Sequence, residues 1–261
     1  MIKRYFRVIK AEVIMNLKDT FSYRVGIVSD IIVMIILYFA CLFMNGYQSI
    51  GEYYSVGESA SKSMVLQGYI YWSFSVLILG SMSNTIRMDA IKGTLEQKAM
   101  SVVPLQFLLL GDFLSSLLVN VIIVISVCII SNLFLGTTIF MNLMTIVTLV
   151  LTLVGMYGMS LIFGGIALVS KRINNLVYII QLILLIASNA VYQVDGINLA
   201  RQVLPISLGI DIGRKYVVGQ SVSVMQILLF VIINLIWLVV GSAIFEFFLK
   251  KSKKRGILSQ Y

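Results

Sequence analysis

Few groups in this chain could do chemistry, and they are widely spaced. Histidine is absent, which excludes HExxH zinc sites, Ser/His dyads and any imidazole base at once. Two facing carboxylates could activate water, but the long apolar runs hold only Asp30 and Glu246, each near the end of a run. Asp112 stands at the mouth of another run, where it suits a helix N-terminus. Asp30 reads either as the partner of Arg24 or another nearby base, or as part of a polar pathway. Cys41 and Cys128 lie inside apolar runs, where buried thiols are expected and neither a disulfide nor a metal site is implied. The phosphate-cradling pattern GxxxxGK[ST] does not occur. The expectation is therefore no catalytic residue, no metal and no cofactor bound by this chain, with any ATP chemistry supplied by another one.

The densest internal mixture of charge, hydroxyl and amide runs over residues 87–110, RMDAIKGTLEQKAMSVVPLQFLLL. Thr94 stands three positions before Gln97, the capping-box spacing, and Pro104 ends the stretch, so the spacing predicts a helix of about two turns. Such a helix is either a contact surface for a partner or an ordinary solvated connection.

The elements that position it follow from composition. The 261 residues are 59% hydrophobic and 12% charged with mean hydropathy +0.99, far from the balance of soluble domains. An all-α integral membrane protein is expected. A bilayer core of about 30 Å needs roughly 20 apolar residues per crossing, and six runs qualify: 25–45, 64–86, 112–135, 143–169, 176–194 and 222–250. None shows the alternating polarity of a barrel strand.

Lys and Arg are retained on the cytoplasmic side. With the N-terminus inside, the inner segments hold Lys3, Arg4, Arg7, Lys10, Lys18, Arg24, Arg87, Lys92, Lys98, Lys171, Arg172, Lys250, Lys251, Lys253, Lys254 and Arg255, against Lys62, Arg201, Arg214 and Lys215 outside. Both termini are expected in the cytoplasm, and the net charge of +9 is explained by topology and anionic lipid, with no reason to invoke nucleic acid. In residues 1–24, Ile2, Tyr5, Phe6, Ile9 and Val13 share one helical face, opposite Lys3, Arg7 and Lys10. This predicts an interfacial helix on the inner leaflet, not a signal peptide. The chain thus divides into that helix (1–24), a six-helix transmembrane domain (25–250) and a basic cytoplasmic tail (251–261).

The stretch Gly93-Thr94-Leu95-Glu96-Gln97, followed by Pro104 and then Gly111 at the start of a span, resembles the cytoplasmic loop of ABC-2 type transporter permeases, the membrane subunits of ATP-driven exporters. The resemblance implies a coupling helix docking on a separate P-loop ATPase subunit that carries ATP and Mg. It makes Thr94, Leu95, Glu96 and Gln97 the contact candidates, with Gly93, Lys98, Met100 and Pro104 around them. This chain departs from the pattern at Val102-Val103, where the family has a small residue before the proline. A second stretch, PISLGIDIGR at 205–214 with Gly219 beyond it, is similar to the family's outer segment, and Pro205, Ser207, Asp211, Arg214 and Gly219 are its candidate residues. Residues 204–212 are apolar but too short to span, so a re-entrant or interfacial helix buried in protein, or else a simple outer loop, is expected there.

Six helices leave little room for an enclosed route, and the resemblance implies a second permease copy or a related permease. Ser160 and Gly164, at small-xxx-small spacing, could serve that contact or packing within one subunit. Met34, Tyr38, Phe39, Tyr69, Tyr71, Trp72 and Phe74 could line a path for an amphipathic drug, peptide or lipid, or simply pack helices together. The expected location is a bacterial plasma membrane. An ion-coupled secondary transporter and a non-transporting membrane anchor or sensor are the competing classes.

Overall fold

The computed structural model describes residues 2–44, 46–137, 142–170, 173–193 and 202–254, and among them there are helices and no strands. In chain order the helices are α1 (Ile2–Ser22), α2 (Arg24–Phe43), α3 (Gly46–Tyr54), α4 (Glu58–Ile91), α5 (Leu95–Ala99), α6 (Leu105–Leu135), α7 (Leu143–Ala167), α8 (Asn174–Ala187), α9 (Pro205–Val218) and α10 (Val224–Lys254). Five of them, α2, α4, α6, α7 and α10, are long and apolar enough to cross a membrane. The chain is a multi-pass membrane protein.

Burial is inverted against hydropathy for three of these five. The least apolar, α4, is the most deeply buried, while the strongly apolar α2 and α10 expose most of their surface. Lipid explains the inversion, because an apolar solvent gives apolar side chains no reason to turn inward and leaves tight packing and polar contacts to select the interior. Along α4, Tyr69 and Trp72 join Tyr38 of α2 in an aromatic cluster. Tyr71 donates to the Thr145 carbonyl of α7 at 2.8 Å. Tyr38, Tyr69, Tyr71, Trp72 and Phe74 are all buried within the chain and hold its helices together. Helices α7 and α10 cross backbone to backbone: a Cβ on Gly241 would lie 1.9 Å from the Gly158 carbonyl oxygen, so only glycine permits the approach.

Several boundaries differ from those expected. Helix α6 starts at Leu105, with Pro104 as its N-cap, because proline needs no intrahelical N–H partner and preorganises the first turn. Asp112 is therefore two turns inside the helix and not at its N-terminus. Helix α10 runs on to Lys254, so the first tail lysines are helical. Helix α4, with 34 residues, is about 51 Å long, well beyond the thickness of a bilayer core. Residues 46–54, between the first two expected spans, form α3.

The fifth expected span is shorter than the other five. Helix α8 has 14 residues, about 21 Å, and ends at Ser188 and Asn189, the latter with φ 56°. The end of that expected span, at residue 194, lies outside the described residues. The amphipathic N-terminal helix is present as α1, but it packs along α6, and at Gly111 a Cβ would come 2.7 Å from the Glu12 Cβ.

Candidate functional site

The 87–110 stretch is built around the end of α4. Gly93 adopts φ +69°, its N–H reaching the Ala90 carbonyl at 3.1 Å and the next N–H, of Thr94, reaching Asp89 at 2.9 Å; this stop closes α4 and turns the chain. The Thr94 hydroxyl donates back to the Asp89 carboxylate at 3.1 Å and makes no cap bond to α5. The expected capping box is therefore not formed, because Asp89 on the preceding turn captures the hydroxyl. Helix α5 has five residues instead of two full turns.

Two of those residues, Leu95 and Ala99, are buried at the i, i+4 spacing that makes one helical face. Glu96, Gln97 and Met100 face outward and are exposed, as are Gly93, Val102 and Pro104. Lys98 turns inward instead. Its ammonium lies 3.0 Å from Asp89 and 4.0 Å from Asp112. Burial opposes its charge, but Asp112 and Asp89 outweigh it, and the ammonium is held above the usual lysine range. The Asn16 amide of α1 donates to the Asp112 carboxylate. One cluster thus ties α1, α4, α5 and α6 together under the loop helix.

The far end of α5 is held too. The Lys253 ammonium of α10 donates to the Ala99 carbonyl at 2.7 Å, placing a cation at the helix C-terminus, where the peptide dipoles favour it. The result is a short helix fixed at both ends, with an apolar inner face and Glu96, Gln97, Met100 and Val102 presented outward.

The opposite end of the molecule carries the second candidate group. Helix α9 starts with Pro205 at its first turn and ends at Gly219 with φ 75°, and it lies against α4, α7 and α10. Ser207 is buried, and Arg214 is fully buried. The Arg214 guanidinium donates to the carbonyls of Asn189 at 2.8 Å, Ala190 at 2.7 Å and Met64 at 3.1 Å. It therefore satisfies carbonyls released where α8 stops, from a fully buried position. Asp211 accepts from the Tyr54 hydroxyl at 2.8 Å and pairs with Lys215 at 2.8 Å. An outward-opening cavity of about 430 Å³ lies beside this group, lined in part by Tyr54, Ser188, Ser207, Asp211 and Arg214.

Ser160 and Gly164 face the interior of the chain. The Ser160 hydroxyl lies 3.4 Å from the Leu79 carbonyl of α4, and a Cβ on Gly164 would come 2.9 Å from Met82 of α4 and 3.4 Å from Phe245 of α10. Asp30 has no ion-pair partner among the described residues, so the expected link to Arg24 is not made; Asp30 lines a cleft with Asn84, Asn120 and Gln181. No group of histidine, cysteine, aspartate or glutamate that could hold a metal occurs among the described residues.

Sequence reasoning missed Asn16, Asp89 and Lys253 as supports of the loop helix, and Tyr54 as the partner of Asp211. Only the alternation of Asp89, Lys98 and Asp112 around the loop hinted at the first cluster. The profile of the family described as ABC-2 type transporter matches residues 3–216 of this chain. No curated relative matches it.

Proposed function

Since the chain belongs to the ABC-2 type transporter family, we propose that this membrane domain, a permease without an ATPase site of its own, is the spanning subunit of an ABC exporter moving an amphipathic substrate outward. A separate P-loop ATPase subunit, carrying ATP and Mg, docks on α5 from the cytoplasm. The observation that supports this reading is the mounting of α5: Leu95 and Ala99 are sealed inward, the Thr94 hydroxyl on Asp89 fixes its start, Lys98 and Lys253 fix its end, and Glu96, Gln97 and Met100 are left exposed. A helix of five residues does not hold itself together in water. Its rigid support is understandable if its outward face must receive force.

The remaining parts follow from that docking. When two ATPase subunits close on bound nucleotide, α5 moves with them, and the joint at Asp89, Lys98 and Asp112 passes the displacement to α4 and α6 at once. Alternating access then needs the opposite end to open, where α9 sits as a re-entrant helix and Arg214 holds the end of α8. Both termini are cytoplasmic in this arrangement, the plasma membrane is bacterial, and a second permease copy or a related permease completes the path. An ion-coupled mechanism is disfavoured by the scarcity of ionisable groups in the spans.

The test is replacement of Glu96 and Gln97 by alanine in the membrane-reconstituted complex. Both are exposed, so folding and thermal stability should stay within about 0.5 kcal/mol, while co-purification with the ATPase or transport-coupled ATP hydrolysis should fall. Unchanged association and unchanged coupling would overturn the assignment of α5.

A further inference from the structure

We propose that the cleft between α2, α4, α6 and α8 binds the charged end of a cationic amphiphile, which deepens the exporter reading above by giving the substrate its chemical class. The cleft has a volume of about 440 Å³ and is lined by Asp30, Ser81, Asn84, Ser116, Asn120 and Gln181 on its polar side. No lysine or arginine among the described residues lines it. Asp30 has no counter-charge there, and an ionisable group inside an apolar span commonly marks a substrate or ion pathway.

The second observation is Asn120. Its side chain is only 1% exposed, its oxygen accepts from the Ser73 hydroxyl at 3.3 Å, and its Nδ2 has no hydrogen-bond partner. Whichever way the amide is turned, one end is unused, although buried polar groups are nearly always paired. Gln181, by contrast, already donates to the Val76 carbonyl at 2.9 Å.

Together these groups describe a ligand. An ammonium or guanidinium matches Asp30, a carbonyl oxygen next to it matches the free Asn120 amide, and an apolar chain matches Val33, Leu77, Ile123 and Val177 on the same walls. An anion would meet the Asp30 carboxylate, and a purely apolar molecule would leave both polar groups unsatisfied. The way in is also polar: Asn84 and Ser116 are shared with a second cleft of about 270 Å³, which reaches Asp19 and Lys92 beside α5.

The chain provides its own reporter. The Trp72 indole donates to the Gln181 carbonyl at 3.1 Å, at the wall of the cleft, and Trp237 is the sole other tryptophan. The full chain carrying Trp237→Phe, in nanodiscs of neutral phosphatidylcholine, is titrated with a dansylated alkylammonium and with a dansylated fatty acid of the same chain length. Saturable energy transfer from Trp72 is expected for the ammonium alone. Its affinity should fall about tenfold in Asp30→Asn, should fall in Asn120→Leu, and should be largely kept in Asp30→Glu. Equal binding of both probes, full displacement by sodium chloride at the concentration of the probe, or unchanged affinity in Asp30→Asn would each overturn the proposal. The assay contains no ATPase, so it separates the two readings. Failure to recover a P-loop ATPase would remove the exporter and leave this binding intact, and loss of the binding preference would remove the site and leave the exporter.

Discussion

Replacing Lys98 by methionine removes the one cation set between Asp89 and Asp112 while keeping most of the side-chain volume. At an effective dielectric of about 20, charges 3.0 and 4.0 Å apart attract by roughly 5.5 and 4.2 kcal/mol before desolvation. Taking these groups out of water opposes most of that, and a buried pair that loses one partner is typically destabilised by about 3–5 kcal/mol. The Lys98 side chain keeps 19% of its surface exposed, which puts the expectation at the lower end, about 3 kcal/mol. The assay is thermal or denaturant unfolding in a fixed detergent, completed as a double-mutant cycle with Asp89→Asn. Asp89→Asn should recover a large part of the loss caused by Lys98→Met, because it removes the stranded carboxylate. The raised ammonium adds a sign. Lysine stabilisation of this kind is fully present below its unfolded value near 10.4 and is lost only as the pH rises through the higher folded value, so the gap between wild type and variant should stay constant from pH 7 to 9. A loss below about 1 kcal/mol with additive single effects would refute the joint.

Two further outcomes follow from the same structure. Lys253→Met takes the cation from the Ala99 carbonyl, and a hydrogen bond to a charged group is worth about 1.5–3 kcal/mol; amide exchange over residues 95–101 should accelerate roughly tenfold or more while exchange at the centre of α4 is unchanged. Arg214→Met should lower thermal stability by about 3 kcal/mol or more by orphaning the carbonyls of Met64, Asn189 and Ala190, and Arg214→Lys should restore little, since a point charge does not match the guanidinium fork.

The long helices were legible because membrane burial asks for little beyond length and apolarity, and both are local. The start of α9 was readable as well, since Pro205 is the residue type that helix starts favour, whereas the helix runs on to Val218, past residue 212 where the apolar stretch was expected to end. Thr94 shows the limit of such rules, since a capping box presumes a free hydroxyl and Asp89 takes it. The stop of α8 was hidden because Ala190 and Val191 continue the apolar run past Ser188 and Asn189, and hydropathy does not register a backbone break. Arg214 was counted among outer loop charges, yet it is enclosed by backbone from α4 and from the end of α8. The Asp89, Lys98 and Asp112 joint depends on where α4, α5 and α6 meet, and no local pattern encodes that meeting.

The length of α4 has a mechanical meaning. It is a single rod whose one end is tied to the loop helix through Asp89 and whose other end is tied to Arg214 through Met64, with Ser160 and Gly164 of α7 bearing on it between Leu79 and Met82. Those bearings lie about 18 Å from Lys92 and about 24 Å from Met64 at 1.5 Å per residue. A rod held there is a lever whose outer arm is about a third longer than its inner one: a tilt of about 10° would swing its inner end by roughly 3 Å and its outer end by roughly 4 Å in the opposite sense. In the proposed exporter, such a tilt would convert a push at one face of the membrane into a pull at the other without passing through any loop.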